Sequence, residues 1–166
     1  MMASHLVFGQ ELFHRTEANG ARIGAIQIPN SKASCIIVAG DSSKLSDTQR
    51  THGFRHLVEH LMMDRPGVDE KLEGIGGMSL ASTLPDWIQI VVKVPSGQEH
   101  AAVEAIVRII QPIDPSDARI AKEIKILGEE ITLLEPTSQL ASKMVPELFG
   151  GVRMGPIGEI ETLKLA

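Results

Sequence analysis

The chain has 166 residues, a mass of 18.0 kDa and a formal net charge of −5, enough length for one core with no need of disulfide or metal staples. Hydrophobic residues at 43% and charged residues at 22% are the proportions of a globular chain, and no apolar run approaches the ~20 residues of a membrane span. Negative charge, aromatic residues at 3% and the absence of Tyr exclude a general phosphate-backbone or base-stacking surface, so neither nucleic acid nor membrane is an expected partner.

In chain order, LVFGQELFHRTE, ARIGAIQIP and SKASCIIVAG have strand character, with turns at Asn19-Gly20 and Pro29-Asn30 between them. They predict one antiparallel meander, with His5 and His14 at surface or pairing positions and Cys35 as a small buried filler without a disulfide partner. No basic-then-apolar leader opens the chain, and Glu11 and Glu17 are unlike a transit peptide, so a cytoplasmic location is expected. Gly40 to Asp47 reads as a loop in which Ser46 or Asp47 caps the next helix.

That helix, within GFRHLVEHLMM, contains His56, Glu59 and His60 as H-x-x-E-H. At ~100° per residue His56, Glu59, His60 and Met63 share one side, with Phe54, Leu57, Val58 and Leu61 on the other. Two imidazoles four residues apart can grip a zinc ion while the carboxylate beside them acts as general base; a surface pair of histidines produces the same string. His52, four residues before His56, shares the face.

Arg65-Pro66-Gly67 breaks the helix, and Val68 to Ile75 forms a short helical segment ended by Gly76-Gly77. MSLASTLPDWIQIVVKVP follows. Its alternation of Trp87, Gln89, Val91 and Lys93 against Ile88, Ile90, Val92 and Val94 predicts a strand with one strongly apolar face, and Trp87 is expected at a sheet edge. Three helices are predicted to close the chain, at about Gly97 to Gln111, Ser116 to Leu134 and Ser138 to Phe149. In the second, Ile120, Ile124, Leu127, Ile131 and Leu134 form a stripe; Glu123 and Glu130 flank it, and Glu129 faces away. A carboxylate at the margin of a buried stripe needs a cationic or protic partner: a zinc ion held by His56 and His60, or an interhelical bond to Arg50 or Arg55.

These segments together resemble the zinc-binding domain of the pitrilysin, insulin-degrading-enzyme and mitochondrial-processing-peptidase family of inverted zinc peptidases. EANGARI resembles the family's opening strand, IIVAGDSSKLSD the strand and loop before the zinc helix, and HGFRHLVEHLMM that helix. EGIGGMSLASTLPDW resembles the G-G-x-x-N-A-x-T-x-x-D edge strand, KEIKILGEEI the helix with the third ligand, and MVPELFGGVRMGPIGEIETLK a segment ending in a glycine and a short acidic helix. The resemblance runs from about Phe13 to Leu165.

The resemblance implies an α+β fold, an antiparallel sheet with helices on one face, over residues 1–166 as a single metallopeptidase-like domain. It implies Zn2+ held by His56, His60 and Glu130, water activation by Glu59, support from Glu123, and substrate binding along Ser79, Leu80, Ala81, Ser82 and Thr83. Leu80 stands where the family has Asn, which removes an expected polar contact to the substrate backbone. Family domains continue beyond the position of Ala166, so the resemblance implies a partner, either another copy or a family-related subunit, that completes a chamber for peptides. A non-catalytic interaction or scaffold subunit is the alternative.

Overall fold

The computed structural model describes residues 3–7, 10–41, 48, 50–84, 86–138, 140, 144, 148, 158 and 160–163. They form two compact units, Met1–Lys32 and Ala33–Ala166. The first is a three-stranded antiparallel sheet in the order β1 (Ala3–Val7), β2 (Gln10–Thr16), β3 (Arg22–Ile26). The expected Asn19-Gly20 turn joins β2 to β3. Gly20 takes a φ of 86°, and the Asn19 side-chain oxygen accepts from the Ala21 N–H at 3.0 Å.

The meander stops there, which corrects the prediction. Strand β4 (Ala33–Asp41) pairs with β6 (Trp87–Pro95), and β6 also pairs with β5 (Met78–Thr83), giving an antiparallel sheet in the order β4-β6-β5. Its register sets Ile36 opposite Val92, Val38 opposite Ile90 and Ala81 opposite Ile90. These side chains all leave the sheet on one face. On that face Val68 and Leu72 of α2 (Val68–Gly74) and Ala102, Ala105, Ile106 and Ile109 of α3 (Glu99–Ile110) close a core with Ile90, Val92 and Val94. The α+β architecture with helices on one face is therefore present.

Gly76 and Gly77 end α2 as expected, and Gly77 does more. A β-carbon there would meet the Lys93 carbonyl at 3.0 Å and Val94 Cγ1 at 2.9 Å, so the chain passes tight against β6 before turning into β5. On the opposite sheet face Ile37, Leu80 and Trp87 are exposed, and so is Cys35, whose β4 position points it away from the helices rather than into the core. Trp87 opens the central strand, paired with Asp41, and is not at an edge.

Helix α1 (Phe54–Met63) has neighbours on two sides. Met62 and Met63 pack toward the sheet core, while Leu57 and Leu61 join Leu127 of α4 (Asp117–Leu133) and Leu163 of α5 (Ile160–Leu163) in a second core flanked by Phe54, Ile120, Ile124 and Ile131. Val58, expected on the apolar side, falls between these contacts and is exposed. His52 lies ahead of α1, so it does not extend the helical face of His56. Ser46 and Asp47, outside the described residues, are not the caps of α1 as predicted, because the helix begins at Phe54 with Gly53 at its N-cap and no side-chain cap; most of the predicted helix Ser138 to Phe149 also lies outside the described residues.

Candidate metal centre

The α1 and α4 helices run antiparallel across the second core: as the contacts climb α1 from His56 to His60 to Asp64, they descend α4 from Glu130 to Glu123 to Arg119. The apolar residues set this docking, and the charged residues at its margin are thereby brought together. His56 Nε2 lies 3.7 Å and His60 Nε2 3.5 Å from the same Glu130 oxygen, and the ligand atoms of all three residues fall within 4.8 Å of one another. The two rings meet edge to face with centroids 4.9 Å apart.

Those separations are longer than a good N–H···O bond. They are close to the ~3.4 Å between ligand atoms on a tetrahedral zinc with bonds of about 2.0–2.1 Å. Two imidazole nitrogens and one carboxylate oxygen form a donor set suited to zinc, so these residues fit the ion that the motif implies.

The surroundings orient the donors. His60 Nδ1 lies 3.3 Å from Glu123 Oε2, and because a carboxylate only accepts, this contact puts a proton on Nδ1 and leaves Nε2, on the Glu130 side, as the ring nitrogen that can offer a lone pair to a metal. Glu123 is buried, and its other oxygen is 3.1 Å from Lys122 Nζ. The hydrogen bond and charge of Glu123, joined by the charge of Asp64, hold the Lys122 ammonium above the usual lysine range. Neither Glu123 nor Glu130 meets Arg55 in this way; the Arg55 guanidinium donates to the Leu84 carbonyl at 3.1 Å.

Glu59 is also buried, on the side of α1 that faces β5, where the Thr83 hydroxyl donates to its Oε2 at 2.5 Å. Of the predicted substrate strand, Ser79, Ala81 and Thr83 lie on the helix-covered face, opposite Val92, Ile90 and Ile88, and the Ser79 hydroxyl donates to Asp69 at 2.7 Å. Leu80 and Ser82 lie on the other face, with Leu80 45% exposed. Among the described residues β5 pairs with β6 alone, which leaves its outer edge open.

Sequence reasoning passed over three residues around the centre. Asp64 follows the zinc-type helix directly, and Arg119 and Lys122 lie on the helix of Glu123 and Glu130; the signal was their helical spacing. Arg119 is eleven residues before Glu130, which is ~20° apart around the helix. Arg119 Nε donates to Asp64 Oδ2 at 2.8 Å, and Lys122 Nζ stands 3.4 Å from Asp64 Oδ1. Burial alone would raise the Asp64 pKa, but the hydrogen bond from Arg119 and the charges of Lys122 and Arg119 outweigh it and hold it below the usual aspartate value.

No protein-family model and no curated protein matches the sequence. Solved structures do share the fold. A protease from Helicobacter pylori superposes with a TM-score of 0.76 at 18% identity, over 91% of this chain and 39% of that one. A protein described as an M16-like peptidase from Alicyclobacillus acidocaldarius superposes with a TM-score of 0.77 at 21% identity, over 97% of this chain and 41% of its own. The chain has the fold found in these peptidases and spans about two fifths of their length. No helix among the described residues is long and apolar enough to cross a membrane.

Proposed function

We propose that the chain is a zinc-dependent peptidase subunit of pitrilysin type that cleaves peptides in the cytoplasm, with His56, His60 and Glu130 as metal ligands and Glu59 as general base. The observation that carries this reading is the convergence of two imidazole nitrogens on one Glu130 oxygen beside a buried Glu59. When bound, the ion supplies Lewis acidity, which brings the pKa of a coordinated water toward ~7. Glu59 accepts the proton of the attacking water and returns it to the leaving amine. Thr83 fixes one Glu59 oxygen and leaves the other for that transfer. Glu123 holds the His60 ring in the tautomer that ligation requires.

An extended peptide fits the open edge of β5, where main-chain hydrogen bonds would add it as a further strand alongside Ser79 to Thr83, next to Glu59. A partner subunit, a second copy or a related chain, completes the enclosure around that peptide.

Metal analysis of the parent and Glu130→Ala tests the centre: about one zinc per chain in the parent and a sharp fall in the variant are expected. Glu59→Gln should keep its zinc and lose peptide hydrolysis by ~10²-fold or more. A scaffold subunit is the second reading, favoured by exposed, apolar Leu80 at a position where the family pattern has Asn. It predicts no hydrolysis by the partnered parent and no difference between parent and Glu59→Gln.

A further inference from the structure

Arg119 enters α4 on its first turn, and its guanidinium reaches the end of α1 at three points. It donates to the Asp64 carboxylate and to the Leu61 carbonyl, each at 2.8 Å, and its Nη2 also contacts the Asp64 carbonyl. The carbonyls at a helix C-terminus have no intrahelical partner and carry the negative end of the helix dipole, so a forked cation satisfies both charge and geometry there. Eleven residues later on the same face, ~16 Å along α4, comes Glu130. The Glu130 side chain is 49% exposed and stands beyond good hydrogen-bond reach of both imidazoles, so the helix that carries it governs its place. Between the two, Lys122 bridges Asp64 to Glu123, which orients His60.

We infer that Arg119 is a positioning residue for the metal centre: by latching the start of α4 to the end of α1 it sets the register of the two helices, and with it the spacing of Glu130 from His56 and His60. This rests on the zinc reading above. The latch meets α1 about one turn past His60 and α4 about three turns before Glu130, and it touches none of the three ligands, so its effect on the Glu130 spacing is transmitted through helix register.

The test measures the zinc dissociation constant of the full chain by competition with a chromogenic chelator. Parent, Arg119→Lys, Arg119→Met and Asp64→Asn are compared, each also in a Glu130→Gln background, with the melting temperature of the metal-free proteins and the visible absorption of their cobalt forms. Arg119→Met is expected to weaken zinc binding ~10- to 100-fold, the range for groups that orient ligands, and to alter the cobalt bands; Arg119→Lys, a point charge without the fork, should fall between. With Glu130→Gln the same replacement should change affinity less than about twofold, because the ligand whose place it sets is gone. A lower melting temperature with parental zinc affinity and cobalt spectrum overturns the inference, and so does an equal loss in both backgrounds. Should Arg119→Met not fold, Asp64→Asn decides by the same comparison. If the parent itself holds no zinc, the metal reading fails and this inference falls with it.

Discussion

Thr83 shows how much a single hydroxyl can carry at the candidate centre. It occupies the last position of β5 and spends its hydrogen bond on Glu59. A bond to a charged acceptor contributes about 1.5–3 kcal/mol. Thr83→Val, which keeps the shape and removes the donor, is therefore expected to leave zinc content unchanged and to lower kcat about tenfold or more with KM little altered. Thr83→Ser should restore most of the rate. Asp64 gives a second outcome at this scale. Its carboxyl is held below the ordinary aspartate value in the folded chain, so its stabilisation is present in full above the unfolded value of ~3.9 and is lost as the pH falls through the folded value. Urea midpoints should then separate parent from Asp64→Asn at pH 6 and converge near pH 2; a constant gap across that range would contradict the linkage.

Among the elements, α1 and α4 decide the geometry, and their contact rests on Leu57, Leu61 and Leu127. Leu127 is completely buried, and its replacement by Ala should cost about 2–5 kcal/mol in urea unfolding. Leu133, 81% exposed on the same helix, should cost less than ~0.5 kcal/mol when changed to Ala. Both helices were legible in the sequence to within a residue or two because their apolar stripes are local patterns, and the same stripe separated Glu123 and Glu130 from Glu129. The pairing of β4 with β6 was not legible, since the two strands are far apart in sequence and nothing in SKASCIIVAG names its partner. The meander expectation failed for that reason. Val58 and Cys35 misled for a related one: helix and strand periodicity identifies an apolar side, while the number of neighbours an element has decides which residues are covered. The α1 helix is packed on two sides, and among the described residues one face of the β4-β6-β5 sheet is bare of helices. The latch made by Asp64, Arg119 and Lys122 lay hidden in ordinary-looking charges, because its meaning depends on which ends of α1 and α4 meet.

At the scale of the molecule, the unit Ala33–Ala166 contains every proposed ligand, and its folded form alone brings them within 4.8 Å. Zinc that binds this form and not the unfolded chain should stabilise it by about 2.7 kcal/mol at a free concentration one hundred times the dissociation constant. Calorimetry should show a melting temperature that rises with zinc, returns on adding EDTA and stays still in His60→Ala.

The start of α1 is sealed by a crossing of two glycines. Gly53, with a φ of 94°, lies so close to Gly158 that a β-carbon on it would stand 2.7 Å from the Gly158 α-carbon. Any side chain at either position collides with main chain, and Gly53→Ala adds a left-handed conformation that alanine resists. The crossing also imposes an order of events during synthesis. The α1 helix waits for Gly158 and Leu163 to emerge before its entrance is closed, so His56, His60 and Glu130 are all made about thirty residues before the seal that holds α1 in place.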